Sequence, residues 1–212
     1  SPHVVKIHEV GEMGDGLPYL AMEWLEGEDL GSVLRRRPKL DLESVRQLLQ
    51  QIGEGIRLAH EMNIIHRDIK PSNLFRTASS HTTDSHWKIL DFGVSKLTDS
   101  EGTLTRDGLI GTPGYMSPEQ ARGHDSDHRS DIFSVGAVLY RTLTGHTPFT
   151  ASNLPKTLFR IVYVNPKNPA KLTKDLPEDL GRILALALAK KPDDRFSSIQ
   201  ELVDAFEDAR VN

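Results

Sequence analysis

The chain has 212 residues, 37% of them apolar and 26% charged, with a net charge of −4 and no cysteine. That length folds as one large domain or two small ones and buries a core without covalent staples, and the lack of thiols excludes disulfide frameworks, thiolate metal sites and cysteine nucleophiles. The acidic balance does not attract a polyphosphate backbone, so nucleic acid is not an expected partner; there is no ~20-residue apolar membrane segment in this chain and no secretory signal pattern at its start.

Val4 to Val10 alternates loosely and Pro18 to Trp24 is a short apolar run, with Gly11, Gly14, Asp15 and Gly16 between them, which predicts a strand, turn, strand hairpin. Asp41 is the expected N-cap of a long amphipathic helix in which Leu42, Val45, Leu48, Leu49, Ile52, Ile56, Ala59 and Met62 recur at spacings of three and four,. Ile64-Ile65, Leu74-Phe75 and Trp87 to Leu90 read as small strands flanking loops, with the polar insert TASSHTTDSH as an exposed hairpin tip,. Residues 91 to 130 are rich in Gly, Thr, Ser and Asp without periodicity, and an irregular stretch of that length inside a domain is usually functional. Asp131 to Leu143 is apolar nearly all round and predicts a helix buried on every side,. Pro177 opens a further helix, and Ser198 with Glu201 predicts a capping box before a last one,. The C-terminal half is therefore expected to be all helix, with no internal repeat.

The stretch HRDIKPSNLF, His66 to Phe75, brings Asp68, Lys70 and Asn73 close together. Alone it reads equally well as a polar surface loop. It is followed by LDFG (Leu90 to Gly93) and then GTPGYMSPE (Gly111 to Glu119). In that order the three motifs resemble a protein kinase of the serine/threonine type, and the resemblance runs from residue 1 to about residue 210,. SPEQARG, RSDIFSVGAVLYRTLTGHTPF and ALAKKPDDRF are most similar to the bacterial members.

The resemblance implies an α+β, protein-kinase-like fold: residues 1–25 as an N-lobe remnant of two strands and hinge, and residues 26–212 as the helical C-lobe with catalytic loop and activation segment. It implies ATP and Mg²⁺ as cofactors and a protein bearing Ser or Thr as substrate. Asp68 becomes the base toward the substrate hydroxyl, Lys70 sits against the transferring phosphate, and Asn73 with Asp91 holds Mg²⁺,. Thr112 packs beside the catalytic acid and lysine; together with Lys70 it marks serine/threonine rather than tyrosine specificity. Met22 is the gatekeeper, Glu23 and Leu25 offer backbone groups to adenine, and Asp29 meets a ribose hydroxyl. Phe75 falls where the family has a smaller aliphatic residue, which raises the floor of the nucleotide pocket,.

Arg67 marks kinases whose activation segment is ordered by phosphorylation, with Thr103 and Thr105 as candidate acceptors and Thr98 and Ser100 still open,. Glu119 and Arg195 are expected as a buried ion pair, and Asp131 as the acceptor of catalytic-loop N–H bonds. His66 is assigned to packing beneath Phe92 rather than to base catalysis. His81 with His86, and His124 with Asp125, Asp127 and His128, lack metal-site spacing and read as solvated loop residues,.

No Gly-x-Gly-x-x-Gly run or VAIK-like strand occurs in the 212 residues. The expectation is a truncated catalytic domain, inactive alone, whose site acids are intact. Two other readings stay open: a pseudokinase-like scaffold or binding module, and a small-molecule kinase, which resembles the chain poorly at GTPGYMSPE. The expected location is the cytoplasm, either free or as the cytoplasmic domain of a membrane-anchored protein.

Overall fold

The computed structural model describes residues 1–78, 85–92, 113–173 and 176–209. Strands β1 (Ile7–Glu12) and β2 (Pro18–Met22) form a two-stranded antiparallel sheet, close to the expected hairpin but shifted at both ends. Val4, expected in the first strand, instead bridges in parallel to Ile89. Trp24, expected in the second, lies beyond it and is 90% exposed.

A second sheet has the antiparallel order β3 (Gly27–Asp29), β4 (Leu74–Thr77), β5 (Trp87–Ile89). Strand β3 was not expected. Its Gly27, at φ 141°, lies so close to β4 that a Cβ would stand 2.1 Å from the Arg76 carbonyl oxygen, so only glycine permits the pairing. The register opposes Asp29 to Phe75 and Leu74 to Ile89. The end of β3, the start of β4 and the end of β5 therefore share one edge of the sheet, and the loops leaving that edge build the site. Ile64-Ile65 is not a strand: Asn63 turns at φ 58° and Ile64 N–H closes back on Ala59 O at 2.9 Å, so these residues terminate the preceding helix.

Helix α1 (Leu30–Arg36) starts at Asp29, and α2 (Leu42–Glu61) starts at Asp41, whose Oδ1 accepts the Ser44 N–H at 2.8 Å. The expected apolar face of α2 is buried at Val45, Leu48, Leu49, Ile52 and Ile56, all at 0% exposure, but Met62, expected on that face, is the C-cap beyond the helix and is 65% exposed. After α3 (Pro118–Ala121) comes α4 (Arg129–Thr144), buried all round as its composition requires. Helix α5 (Leu154–Tyr163) follows, then α6 (Glu178–Ala187) and α7 (Ile199–Glu207). Helices α2, α6 and α7 pack on α4. Gly136 makes the α4–α6 crossing possible, since a Cβ there would stand 2.8 Å from Ala187 Cβ. The capping box expected at α7 is half formed: Ser198 Oγ accepts the Glu201 N–H at 3.2 Å, but the Glu201 carboxylate accepts from the Ser197 N–H at 2.8 Å, one residue early. A full capping box forms instead at α3, between Ser117 and Gln120.

Glu119 of α3 meets Arg195 in a two-pronged ion pair, 2.7 Å at each oxygen, with both residues 6% exposed. Ser130 Oγ donates to the same carboxylate, and Arg195 also donates to the carbonyls of Ala189 and Arg129. The pair fixes α3 to the last helical layer. Burial pushes the Glu119 carboxyl up, but the Arg195 guanidinium and the Ser130 hydroxyl outweigh it and hold the group below the usual carboxylate range. A depressed folded-state value stabilises the fold above the unfolded-state value, and the contribution is lost as pH falls through the folded one. Glu119→Gln is expected to cost about 3–5 kcal/mol in urea unfolding at pH 7 and to flatten the acid limb of stability. Wild-type stability at pH 7 would show that the pair anchors nothing.

Candidate active site

The loop from α2 to β4 hangs on Asp131, in the first turn of α4 and 0% exposed. Asp131 Oδ2 accepts the His66 N–H at 2.9 Å and Oδ1 the Arg67 N–H at 2.8 Å, with His60 Nε2 2.8 Å from Oδ2. Asp131 thus accepts two backbone N–H groups of this loop. His60 is a partner the sequence reading missed. These bonds hold Arg67 at φ 67°, a left-handed conformation that costs a non-glycine residue about 1–3 kcal/mol.

His66 is fully buried, its ring 4.6 Å from that of Phe92. Its Nε2 lies 2.8 Å from Leu90 O, which can only accept, so Nε2 carries the hydrogen and Nδ1 is left to accept the Asp68 N–H at 3.2 Å,. Both ring nitrogens are engaged, and the residue is a post under the loop rather than a base, as expected from its place beneath Phe92.

Asp68 presents a half-exposed carboxylate, with Lys70 Nζ 2.6 Å from Oδ2. Asn73 closes the 3-10 turn Pro71–Asn73, and its Nδ2 donates to Asp68 O at 2.8 Å and to Asp68 Oδ2 at 3.1 Å. With the nitrogen committed inward, Oδ1 is the amide's remaining acceptor.

Leu90 joins the second loop to the first. Its N–H donates to Asn73 O at 2.9 Å and its carbonyl accepts from His66. Both backbone groups of the residue before Asp91 are therefore bonded to the loop that carries Asp68 and Asn73. Asp91 follows at φ 57° with an exposed side chain. The Asn73 amide oxygen and the Asp91 carboxylate are hard oxygen donors on adjoining turns, a set that suits Mg²⁺ rather than a soft metal.

On the nucleotide side, Met22 ends β2 and is 42% exposed, and Leu25 is half-buried. Glu23 donates its N–H to Lys6 O at 2.9 Å, which leaves its carbonyl as the backbone group able to serve a base. The Glu23 carboxylate accepts from Lys6 N–H and, at 2.6 Å, from Lys88 Nζ, tying this segment to β5. Burial raises that carboxyl, but the Lys88 ammonium and the Lys6 N–H bring it net below the usual range. Asp29 already holds Ser32, accepting its N–H at 3.0 Å and its hydroxyl at 2.5 Å. Burial again raises the carboxyl and the Ser32 bonds more than offset it. Phe75, half-buried on β4, lies opposite Asp29 and Lys88.

Thr112, Thr103, Thr105, Thr98, Ser100 and His81 lie outside the described residues. Asp127 is engaged by Arg129 at 2.7 Å, and His128 Nε2 lies 2.9 Å from Ser197 O. Among the described residues the Arg67 Nε is buried with no hydrogen-bond partner. Gln120 is a further residue the reading missed: its Nε2 donates to the Arg67 carbonyl at 2.7 Å. The Ser117-x-x-Gln120 spacing was the available signal,.

A family model described as "Protein kinase domain" matches residues 1–206. The chain is 39% identical to the tyrosine-protein kinase MasK of Myxococcus xanthus over 97% of its own length and 33% of that protein's. It is 36% identical to the serine/threonine-protein kinase pkn3 of the same species, over 94% of this chain and 37% of that one. With PknB of Mycobacterium tuberculosis, a serine/threonine-protein kinase, the figures are 32% identity over 95% and 32%. The chain thus spans about a third of the length of these relatives. Among solved structures, the PknI kinase domain of M. tuberculosis superposes with a TM-score of 0.76 at 26% identity, covering 99% of this chain and 73% of that one. The loops carrying Asp68, Asn73 and Asp91 meet, and the family model takes in nearly the whole chain: the chain belongs to the protein kinase family.

Proposed function

We propose that this chain supplies the catalytic-loop part of a kinase that transfers the γ-phosphate of ATP to serine and threonine hydroxyls of a protein, with Asp68 as the base and Asn73 and Asp91 as the oxygen ligands of Mg²⁺. The supporting observation is the double attachment of Leu90, through Asn73 O and His66 Nε2, which draws Asp91 to the Asp68–Asn73 turn. Asn73 and Asp91 would hold Mg²⁺, which would supply neutralising charge to the nucleotide's phosphate groups. Asn73 Nδ2 orients Asp68 through its carbonyl and its Oδ2. Asp68 takes the proton of the attacking hydroxyl as the new O–P bond forms and the bond from the γ-phosphorus to the β,γ-bridging oxygen breaks, the electron pair leaving with ADP. The Lys70 ammonium, 2.6 Å from Asp68, stands ready to meet charge on the transferring oxygens.

In this reading residues 1–25 serve as strand pair and hinge, with Met22, Glu23, Leu25, Asp29 and Phe75 around the nucleoside, and residues 26–212 form the helical lobe. Thr112 supports the acid and lysine. Phosphate on Thr103 or Thr105 pairs with Arg67, whose buried Nε lacks a partner among the described residues. The site works in the cytoplasm, where ATP is supplied; no described helix is long and apolar enough to cross a membrane.

In the protein as its gene encodes it, Asp68→Asn is expected to lower kcat by about 10²–10⁴-fold with ATP affinity changed less than about threefold. Unchanged turnover would remove Asp68 from the role of base. A second reading, transfer to tyrosine, is favoured by the 39% identical relative named as a tyrosine-protein kinase. Lys70 and Thr112 follow the serine/threonine pattern. Acid hydrolysis of the phosphorylated product should yield phosphoserine and phosphothreonine; phosphotyrosine as the main species would establish the second reading.

A further inference from the structure

We propose that Gln120 is a positioning residue for phosphoryl transfer: its side-chain amide fixes the Arg67–Asp68 peptide plane and so couples the seating of the Glu119–Arg195 anchor to the aim of the Asp68 carboxylate. The proposal rests on the reading of Asp68 as the base.

The carbonyl of Arg67 and the N–H of Asp68 belong to one peptide unit. The oxygen accepts from Gln120 Nε2 at 2.7 Å, and the N–H donates to His66 Nδ1 at 3.2 Å. This plane follows a residue at φ 67°, a conformation that persists only where the surroundings over-determine it. Asp131 fixes the two N–H groups before it, those of His66 and Arg67, but does not reach the 67–68 peptide. Gln120 holds the oxygen side of that unit, and rotation of the unit re-aims the Asp68 side chain.

The Gln120 amide has one permitted orientation. Its Oε1 accepts the Ser117 N–H at 3.1 Å and its Nε2 faces the Arg67 carbonyl, which can only accept, so an exchanged oxygen and nitrogen satisfies neither contact. Gln120 directly follows Glu119, which the two 2.7 Å bonds to Arg195 hold in place. A shift of this short helix therefore reaches the catalytic loop through the Gln120 side chain.

The two duties of Gln120 separate chemically. In Gln120→Glu one carboxylate oxygen still accepts the Ser117 N–H, an arrangement that helix starts favour, while the other now faces the Arg67 carbonyl oxygen and repels it. A purely structural role predicts a neutral or slightly stabilising change. A positioning role predicts loss of rate, since misplacing a reacting group by about 1 Å costs on the order of 10²-fold. Protonation of the introduced carboxyl group restores a donor toward Arg67 O, so the defect should shrink in acid.

The experiment is steady-state kinetics of Gln120→Glu and Gln120→Ala in the protein as encoded, with thermal unfolding alongside and Asp68→Asn in parallel. Gln120→Glu is expected to lower kcat by about 10–100-fold, with KM for ATP and for peptide within about threefold, the melting temperature within about 2 °C of wild type, and a kcat ratio to wild type that rises from pH 8.5 to pH 5.5. Gln120→Ala should fall between the two without the pH trend. Wild-type kcat in Gln120→Glu overturns the proposal, as does a rate loss in both variants that only tracks lost melting temperature. If Asp68→Asn lowers kcat and Gln120→Glu does not, the positioning role alone fails. If Asp68→Asn retains full rate, the base assignment and the positioning role fall together.

Discussion

Asp131, itself without solvent exposure, accepts N–H bonds from His66 and Arg67 and lies beside the His60 ring. A charged acceptor strengthens each such bond to about 1.5–3 kcal/mol, enough to hold Arg67 in its left-handed turn. The carboxylate sits at the start of α4, where the helix N-terminus adds a favourable field. Because α4 is buried nearly all round, the turn that carries Asp68 is referenced to the packed core of the fold. Loops in general wander; this one is tied to the core at the residue before its acid.

The three-stranded sheet performs the matching task for the other candidate site residues. Its register brings the end of β3, the start of β4 and the end of β5 to one edge, so Asp29, Asn73 and Asp91 leave it as neighbours despite their separation in the chain. Leu90 completes the junction with one bond to each side of the catalytic loop. Strain at Arg67 and Asp91, both at positive φ, is concentrated at the two positions flanking the candidate chemistry, as expected where geometry is set by function rather than by local preference. The Glu119–Arg195 pair fixes α3 to the late helices, and Gln120 carries that fixation to the loop.

The sequence disclosed whatever is written in periodicity or local chemistry. Residues of α2 at spacings of three and four, the unbroken apolar run of α4 and the caps at Asp41 and Ser198 each have a one-dimensional signature, and each element forms. Gly27–Asp29 carries no strand signal, because its pairing depends on β4, more than forty residues later, and on the closeness that Gly27 allows. Ile64-Ile65 looked like a strand from composition, yet the helix end at Asn63 decides its path. In the site, Asp68, Asn73 and Asp91 were legible as motif residues, but not the Leu90 attachment, which uses backbone groups that any residue supplies. His60 and Gln120 act through partners remote in sequence, and no local pattern states whom they meet.

The central claim is that two turns present their oxygens to one divalent ion beside Asp68. Diffraction from crystals grown with Mn²⁺ and a non-hydrolysable ATP analogue, using the anomalous signal of the metal, tests it directly. The account predicts an anomalous peak bound by both Asn73 Oδ1 and the Asp91 carboxylate at about 2.0–2.3 Å, with Asp68 facing the γ-phosphate. Nucleotide-bound metal that neither residue ligates, or an Asp91 carboxylate turned away from the nucleotide, would contradict it.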